Sequence, residues 1–276
     1  MKLTLITATH HRAETLARQA LPSVLTQTNQ NFEWVLVNDG GDRWSKKVVT
    51  QAIPTAQFPI KYVEMEHPTE GFGLCHARNL GLSHATGEIV AYLDDDNALS
   101  PNFVQSTLQF FQDNPLVRCS MPRQQRRRDI VKDGFVVKRG KTFVSPKSGE
   151  TEALICLQEI FDSNGFAHYL IDAPRWNPDY RVFADYEYFL QYISQYQSGS
   201  FTLNPEVLVN YIQSSTGVIG MSSYSDWARE LKQIQQECWR YTVLDNSTST
   251  RLALVIKSYE MKSQNNLEIP AFSCGE

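Results

Sequence analysis

The sequence predicts an α/β fold built on a mostly parallel sheet with helices on both faces. Three observations carry that reading. Over roughly the first 115 residues, short β-prone runs alternate with helical patterns, giving strand–helix four times in succession. Of the runs at 3–8, 32–38 and 88–93, the last is apolar and β-prone, as in a strand buried on both faces of a sheet. Each of these three ends in polar groups: Thr9-His10-His11, Asp39-Gly40-Gly41 and Asp94-Asp95-Asp96. Ligands of such sheets bind outside the carboxyl ends of the strands, so three polar ends on one edge make a candidate site.

In chain order, strand 3–8 leads into a helical pattern from Ala13, with Leu16, Ala20, Val24 and Leu25 on one face and a kink at Pro22. Strand 32–38 is followed by a helix over 44–52, and strand 60–65 by a loop that Gly71 and Gly73 open. A helix over 74–85 ends at Gly87, strand 88–93 follows, and Pro101 begins a helix to about 113. The second half reads differently. Alternation over 129–144, around Asp133-Gly134 and Arg139-Gly140, predicts short antiparallel hairpins. Helices are expected over 185–197, 224–244 and 250–262, and a strand pair broken at Asn204-Pro205 over 201–211. No repeat or low-complexity linker divides the chain.

Composition narrows the function classes. A chain of 276 residues buries roughly three-quarters of its unfolded surface, ample for a full core. The formal charge of -4 gives no general case for nucleic-acid binding, and no window supplies the ~20 apolar residues of a membrane span. Cysteines 75, 119, 156, 238 and 274 are odd in number and form no CxxC pair, which suits free thiols in a reducing compartment. The first residues turn polar too quickly for a signal peptide, so a cytoplasmic protein is expected.

Asp94, Asp95 and Asp96 are the hardest feature to explain structurally, because adjacent carboxylates repel at the end of a buried strand. Two readings are open on the residues alone. They form a solvated loop in which Asp96 or Asn97 caps the next helix, or they converge on a divalent cation.

An ordered set of motifs bears on that choice. Val37-Asn38-Asp39-Gly40-Gly41 resembles V-D-D-G-S, and Ala77-Arg78-Asn79-Leu80-Gly81 with Ala85-Thr86-Gly87-Glu88 resembles A-R-N-x-G…A-x-G-E. Leu93-Asp94-Asp95-Asp96 resembles L-D-x-D-D, and Ala184-Asp185-Tyr186-Glu187-Tyr188-Phe189 resembles E-D-x-D-L with Ala184 in place of the usual glutamate. In combination the chain resembles the family 2 glycosyltransferases of the GT-A fold. The resemblance implies a Rossmann-like, mostly parallel sheet, with a glycosyltransferase domain over 1–220 and a C-terminal helical extension over 221–276 packed on it. Residues 1–115 would be the nucleotide-sugar-binding half and 116–220 the acceptor half.

The resemblance also implies a metal-dependent, inverting transfer, of a hexosyl group, from a UDP- or GDP-linked sugar to a hydroxyl of a glycan, lipid-linked or small-molecule acceptor. Asp96 would ligate Mn²⁺ or Mg²⁺, Asp95 would touch the ribose or share the metal, and Asp94 would support from behind. Asp39 would accept a hydrogen bond from the nucleotide base, with Thr9 lining the same pocket, and the glycines after it would let a ligand approach the backbone. Arg78 would reach the base pocket or the phosphates as a charge-assisted donor. Asp185, at a helix N-terminus, would be the general base, with Glu187 as substitute.

Departures from the pattern are specific. His10-His11 stands where an aromatic residue and Asn are usual, and no histidine follows His168 to supply a late metal ligand, leaving Gln213 or water at that place. Trp176, Tyr180, Tyr186 and Tyr188 read first as core and second as sugar-stacking residues. Arg126-Arg127-Arg128 beside Arg123 reads first as a solvated face, and second as a grip on a phosphorylated acceptor or an anionic membrane surface. Ala184 and the absent histidine leave one alternative: a non-catalytic member that binds sugar nucleotides or glycans. A nucleotidyltransferase is disfavoured, because no Gly-rich loop bearing Lys or Arg follows the first strand.

Overall fold

The computed structural model describes residues 1–133, 135–196 and 199–267. Its first half is the predicted parallel sheet: β1 (Leu3–Thr9), β2 (Phe32–Asp39), β3 (Ile60–Met65) and β4 (Ile89–Tyr92), in spatial order β3-β2-β1-β4. Helices α1 (Ala13–Arg18), α2 (Ala20–Leu25), α3 (Arg43–Ala52) and α4 (Gly73–His84) make the crossovers. The second half extends the same sheet with β5 (Ala98–Leu99), β6 (Cys119–Lys132), β7 (Phe135–Arg139), β8 (Phe143–Ser145), β9 (Ala167–Tyr169) and β10 (Phe201–Ser214). Strand β9 lies antiparallel between β4 and β6, β6 and β10 run parallel, and β5, β7 and β8 add antiparallel edges. Helices α5 (Phe103–Asp113), α6 (Thr151–Ile155), α7 (Ala184–Ser194), α8 (Tyr224–Gln236) and α9 (Asn246–Gln264) complete the chain order.

Strand alternation divides the core between the two faces of the sheet. Val35 and Val37 join a cluster with Ile6, Val90 and Tyr92, while Trp34 and Leu36 join one with Leu3, Leu5 and Ile89. The first cluster also takes Leu231 and Ile234 from α8 and Leu252 and Ile256 from α9, so the C-terminal helices pack on the core that carries α4 and α7. Trp176, Tyr180, Tyr186 and Tyr188 are buried there, with Trp176 stacked on Tyr188 at 3.9 Å and 6°.

Several boundaries differ from the sequence reading. The strand expected to break at Asn204-Pro205 continues as β10, because register shifts after Asn204 and after Val207 absorb a proline that cannot donate to the ladder. The helix expected over 224–244 stops at Gln236, ahead of a 3₁₀ turn at Cys238–Arg240. Helix α9 starts at Asn246 because Asp245 caps it, accepting from Thr248 N. The hairpin turn residue Gly134, the end of the helix at 197, and residues 268–276 of the extension, with Cys274, lie outside the described residues. Cys75, Cys119, Cys156 and Cys238 are free, and no helix among the described residues is long and apolar enough to cross a membrane.

Buried His168 on β9 makes the core pH-sensitive. Its Nδ1–H donates to the Tyr169 carbonyl, and Nε2 faces the hydroxyls of Tyr92 and Tyr188 at 3.0 Å each. Burial lowers its pKa to about 4, below the ~6.5 of an unfolded chain. Between those values the unfolded chain binds the extra proton, so stability falls as pH drops from about 6.5 to 4. The loss should approach ~3 kcal/mol in urea titrations. His168→Gln should flatten that part of the pH profile, and an unchanged slope would assign it to other groups.

Candidate active site

A cavity of about 920 Å³ opens where β1, β2 and β4 end, and Thr9, Asp39, Arg78, Asp94, Asp95, Asp96 and Asp185 all line it. These residues come from separate elements, and the parallel topology puts their strand ends on one edge.

At the β2 end, Asp39 is buried with its two oxygens in different states. His67 Nδ1 lies 2.9 Å from Oδ2, while Oδ1 has no hydrogen-bond partner among the described residues. The approach of α4 needs a glycine here, because a Cβ on Gly73 would come within 2.5 Å of Asp39 Oδ2. His10 Nδ1–H donates to the Asp39 carbonyl at 2.9 Å, and the His10 ring packs between His11 and His67 at 4.5 Å from each. His10, Asp39 and His67 bring potential metal-ligand atoms within 4.8 Å of one another, but both Nδ1 atoms already face Asp39 oxygens.

The aspartate turn is held from three sides. Both Asp94 oxygens are engaged, by Arg78 Nη2 and by Asn164 Nδ2, each at 2.8 Å. Asp95 accepts from Thr9 Oγ1 at 2.8 Å and pairs with Arg12 at 3.3 Å. Arg12 also pairs with Asp96 at 2.7 Å. Neither Asp96 nor Asn97 caps the next helix. Its N-cap is Asn102, and Asn97 Oδ1 instead accepts Ile212 N–H from β10 at 2.8 Å. Burial pushes the Asp95 carboxyl up to about 7 despite Arg12, and raises Asp96 as well. Two crowded carboxylates sharing one guanidinium beside an open cavity are a donor set that fits a hard divalent cation.

Arg78 ties this turn to Asp185. Its side chain is 2% exposed, with Nη1 donating to Asp185 Oδ1 at 2.7 Å and Nη2 to Asp94 Oδ1 and Ser163 Oγ at 2.8 Å each. Trp176 lies against the guanidinium, 4.3 Å from its ring centre. Burial opposes the charge, but Asp185 and Asp94 outweigh it and raise the pKa. Three of its five N–H groups therefore go to protein acceptors, and the side chain braces Asp94 against Asp185. Asp185 occupies the second position of α7, after the N-cap Phe183, and faces Arg78 with no capping bond. Its Oδ2 has a long contact with Ser163 N–H at 3.3 Å. Glu187 does not line the cavity. It is fully buried, accepting from Tyr241 and Gln191 at 2.7 Å each, and burial raises its pKa.

Residues 4–167 match the sequence profile described as Glycosyl transferase family 2. The chain belongs to that family. It is 36% identical over 117 residues to an uncharacterized glycosyltransferase, alr2836, of Nostoc sp., covering 42% of this chain and 35% of the relative. It is 32% identical over 110 residues to the teichoic acid poly(glycerol phosphate) polymerase of Staphylococcus epidermidis, covering 40% of this chain and 15% of the relative. The chain thus spans about a third or less of these relatives' lengths. The fold is shared with S. aureus TarS 1-349 solved with UDP-GlcNAc, at a TM-score of 0.68 and 15% identity over 96% of this chain and 74% of that one. It is shared too with the mannosyltransferase PcManGT from Pyrobaculum calidifontis, solved with GDP-Man and Mn²⁺, at a TM-score of 0.61 and 16% identity over 98% and 77%.

Several residues of this family 2 cavity escaped the sequence reading. Arg12 and His67 stand in loops after strands, with no pattern to mark them as partners of Asp96 and Asp39. Ser163 and Asn164 come from the loop before β9. The basic run is not a solvated face: Arg126 and Arg128 line the cavity, while Arg127 turns away to Asp129. The signal was present in the strand alternation of β6, which sends every second arginine to the same side.

Proposed function

We propose that this chain transfers a sugar from a nucleoside diphosphate to an acceptor hydroxyl, with inversion at the anomeric carbon. The observation that carries the reading is the Arg78 brace, which fixes Asp94 and Asp185 in one cluster facing one cavity. A donor site and a base held by a single rigid group have the preorganisation that such a transfer needs. Asp39 Oδ1, with no partner among the described residues, would accept an N–H of the base, and Thr9 would hold Asp95 towards the ribose. Asp96, assisted by Asp95, would ligate Mn²⁺ or Mg²⁺, which when bound neutralises charge on the departing diphosphate. Asp185 would take the proton of the attacking hydroxyl, with Arg78 as positioning residue. UDP and GDP are both candidate donor nucleotides, by analogy with the ligands of TarS and PcManGT. The four free cysteines among the described residues suit a cytoplasmic site of action, and 221–276 would act as an extension of the same domain.

Thermal shift with UDP and GDP, with and without Mn²⁺, tests the donor site. A nucleotide at 100 times its Kd should add about 2.7 kcal/mol of stability. Asp96→Ala should abolish the Mn²⁺-dependent part of the shift. Absence of any shift with either nucleotide would overturn the donor reading.

A further inference from the structure

We infer that Arg128 is a phosphate-binding residue of this cavity, its guanidinium fork held open by Gln213 for a phosphate carried by donor or acceptor. The inference deepens the proposed transfer and rests on it. Arg126 and Arg128 project from β6 into the cavity, and of the two only Arg126 has a carboxylate of the described residues within ion-pair range. Arg126 donates to Gln124 Oε1 at 2.9 Å, lies 3.9 Å from the Tyr211 ring centre, and has Asp162 at 4.0 Å. Arg128 donates through Nε to Gln213 Oε1 at 3.2 Å and lies 5.4 Å from the Phe143 ring centre. Among the described residues, neither Nη atom of Arg128 has a hydrogen-bond partner, and no carboxylate lies within the 4.0 Å of an ion pair.

Two guanidinium groups therefore line the same cavity, and among the described residues the one carboxylate within ion-pair range of either is Asp162, 4.0 Å from Arg126. Burial, and then repulsion from Arg126, lower the Arg128 pKa, yet an arginine stays charged at neutral pH. An anion relieves both costs, and a planar fork with two free arms matches phosphate oxygens. The location agrees. Gln213 follows Ile212, whose N–H is bound by Asn97, so the fork stands on the strand end that is tied to the aspartate turn. Gln213 is thereby committed to orienting an arginine.

Calorimetric titration of the wild-type chain, R128Q, R128K and Q213L with UDP, inorganic pyrophosphate and glycerol 3-phosphate tests the assignment. K138Q is the charge control, since Lys138 is exposed on the adjoining β7. R128Q should weaken at least one phosphate probe tenfold or more, R128K should recover part of the loss, and Q213L should lose about threefold. Loss for UDP and pyrophosphate alone assigns the fork to the donor. Loss for glycerol 3-phosphate alone assigns it to a phosphorylated acceptor. Equal affinities in the wild type and R128Q, an equal loss in K138Q, or no phosphate binding by the wild type would overturn it. Wild-type binding of pyrophosphate or glycerol 3-phosphate without UDP would instead sink the donor reading and leave the Arg128 comparison decisive. Should R128Q fail to fold, R128K and Q213L carry the same comparison.

Discussion

Replacing Arg78 by methionine should cost about 3 kcal/mol of folding stability and most of the transfer activity. Removing one member of a buried ion pair typically costs ~3–5 kcal/mol, because the remaining charge is left uncompensated. The lower end applies here. Asp94 and Asp185 are 29% and 27% exposed, so water can partly solvate them once the guanidinium is gone. For a chain of this size that corresponds to a fall in Tm of roughly 6–12 °C. Arg78→Lys should recover little, since one ammonium cannot span Asp94, Asp185 and Ser163 with the fork's geometry. In the Arg78→Met/Asp185→Asn double variant the losses should be less than additive, because both changes break the same contact. A loss below about 1 kcal/mol in urea unfolding would mean that the brace is not structural.

The parts of this molecule that were legible in the sequence are those governed by local periodicity. The parallel strands and the aspartate turn follow from apolar runs and where they end, and β1, β2 and β4 fall within a residue or two of the expected bounds. Cavity lining by Thr9, Asp39 and Asp94–Asp96 follows from the same topology. What the sequence could not display is which charged groups are already paired. Arg78 and Asp185 are 107 residues apart, Arg12 and Asp96 are 84 apart, and Arg128 and Gln213 are 85 apart. Each pairing depends on strand ends or neighbouring strands meeting in space, and no local spacing encodes it. Arg78 therefore reads as a free ligand-binding cation in one dimension and as a committed brace in three. Arg128 is the reverse: an apparent member of a solvated run that keeps two free donor arms in the cavity.

Asp185→Asn should lower kcat by ~10²–10⁴ while leaving nucleotide affinity within about twofold, the range expected when a general base is removed. The substitution is nearly isosteric, and an asparagine oxygen can still accept from Arg78 Nη1, so α7 and the brace should stay in place. What is lost is the second oxygen. Among the described residues Oδ2 has only the 3.3 Å contact with Ser163 N–H, which leaves it the freer atom to take a hydroxyl proton. An amide nitrogen at that position donates and cannot accept. The decisive measurement pairs transfer kinetics with UDP titration on the same preparation. Retained transfer would move the base elsewhere, and Glu187 is a poor successor because Tyr241 and Gln191 hold it in the core. If the wild type binds the donor but never turns it over, the cavity belongs to a sugar-nucleotide-binding protein. The Arg78 brace would then be a feature of stability alone.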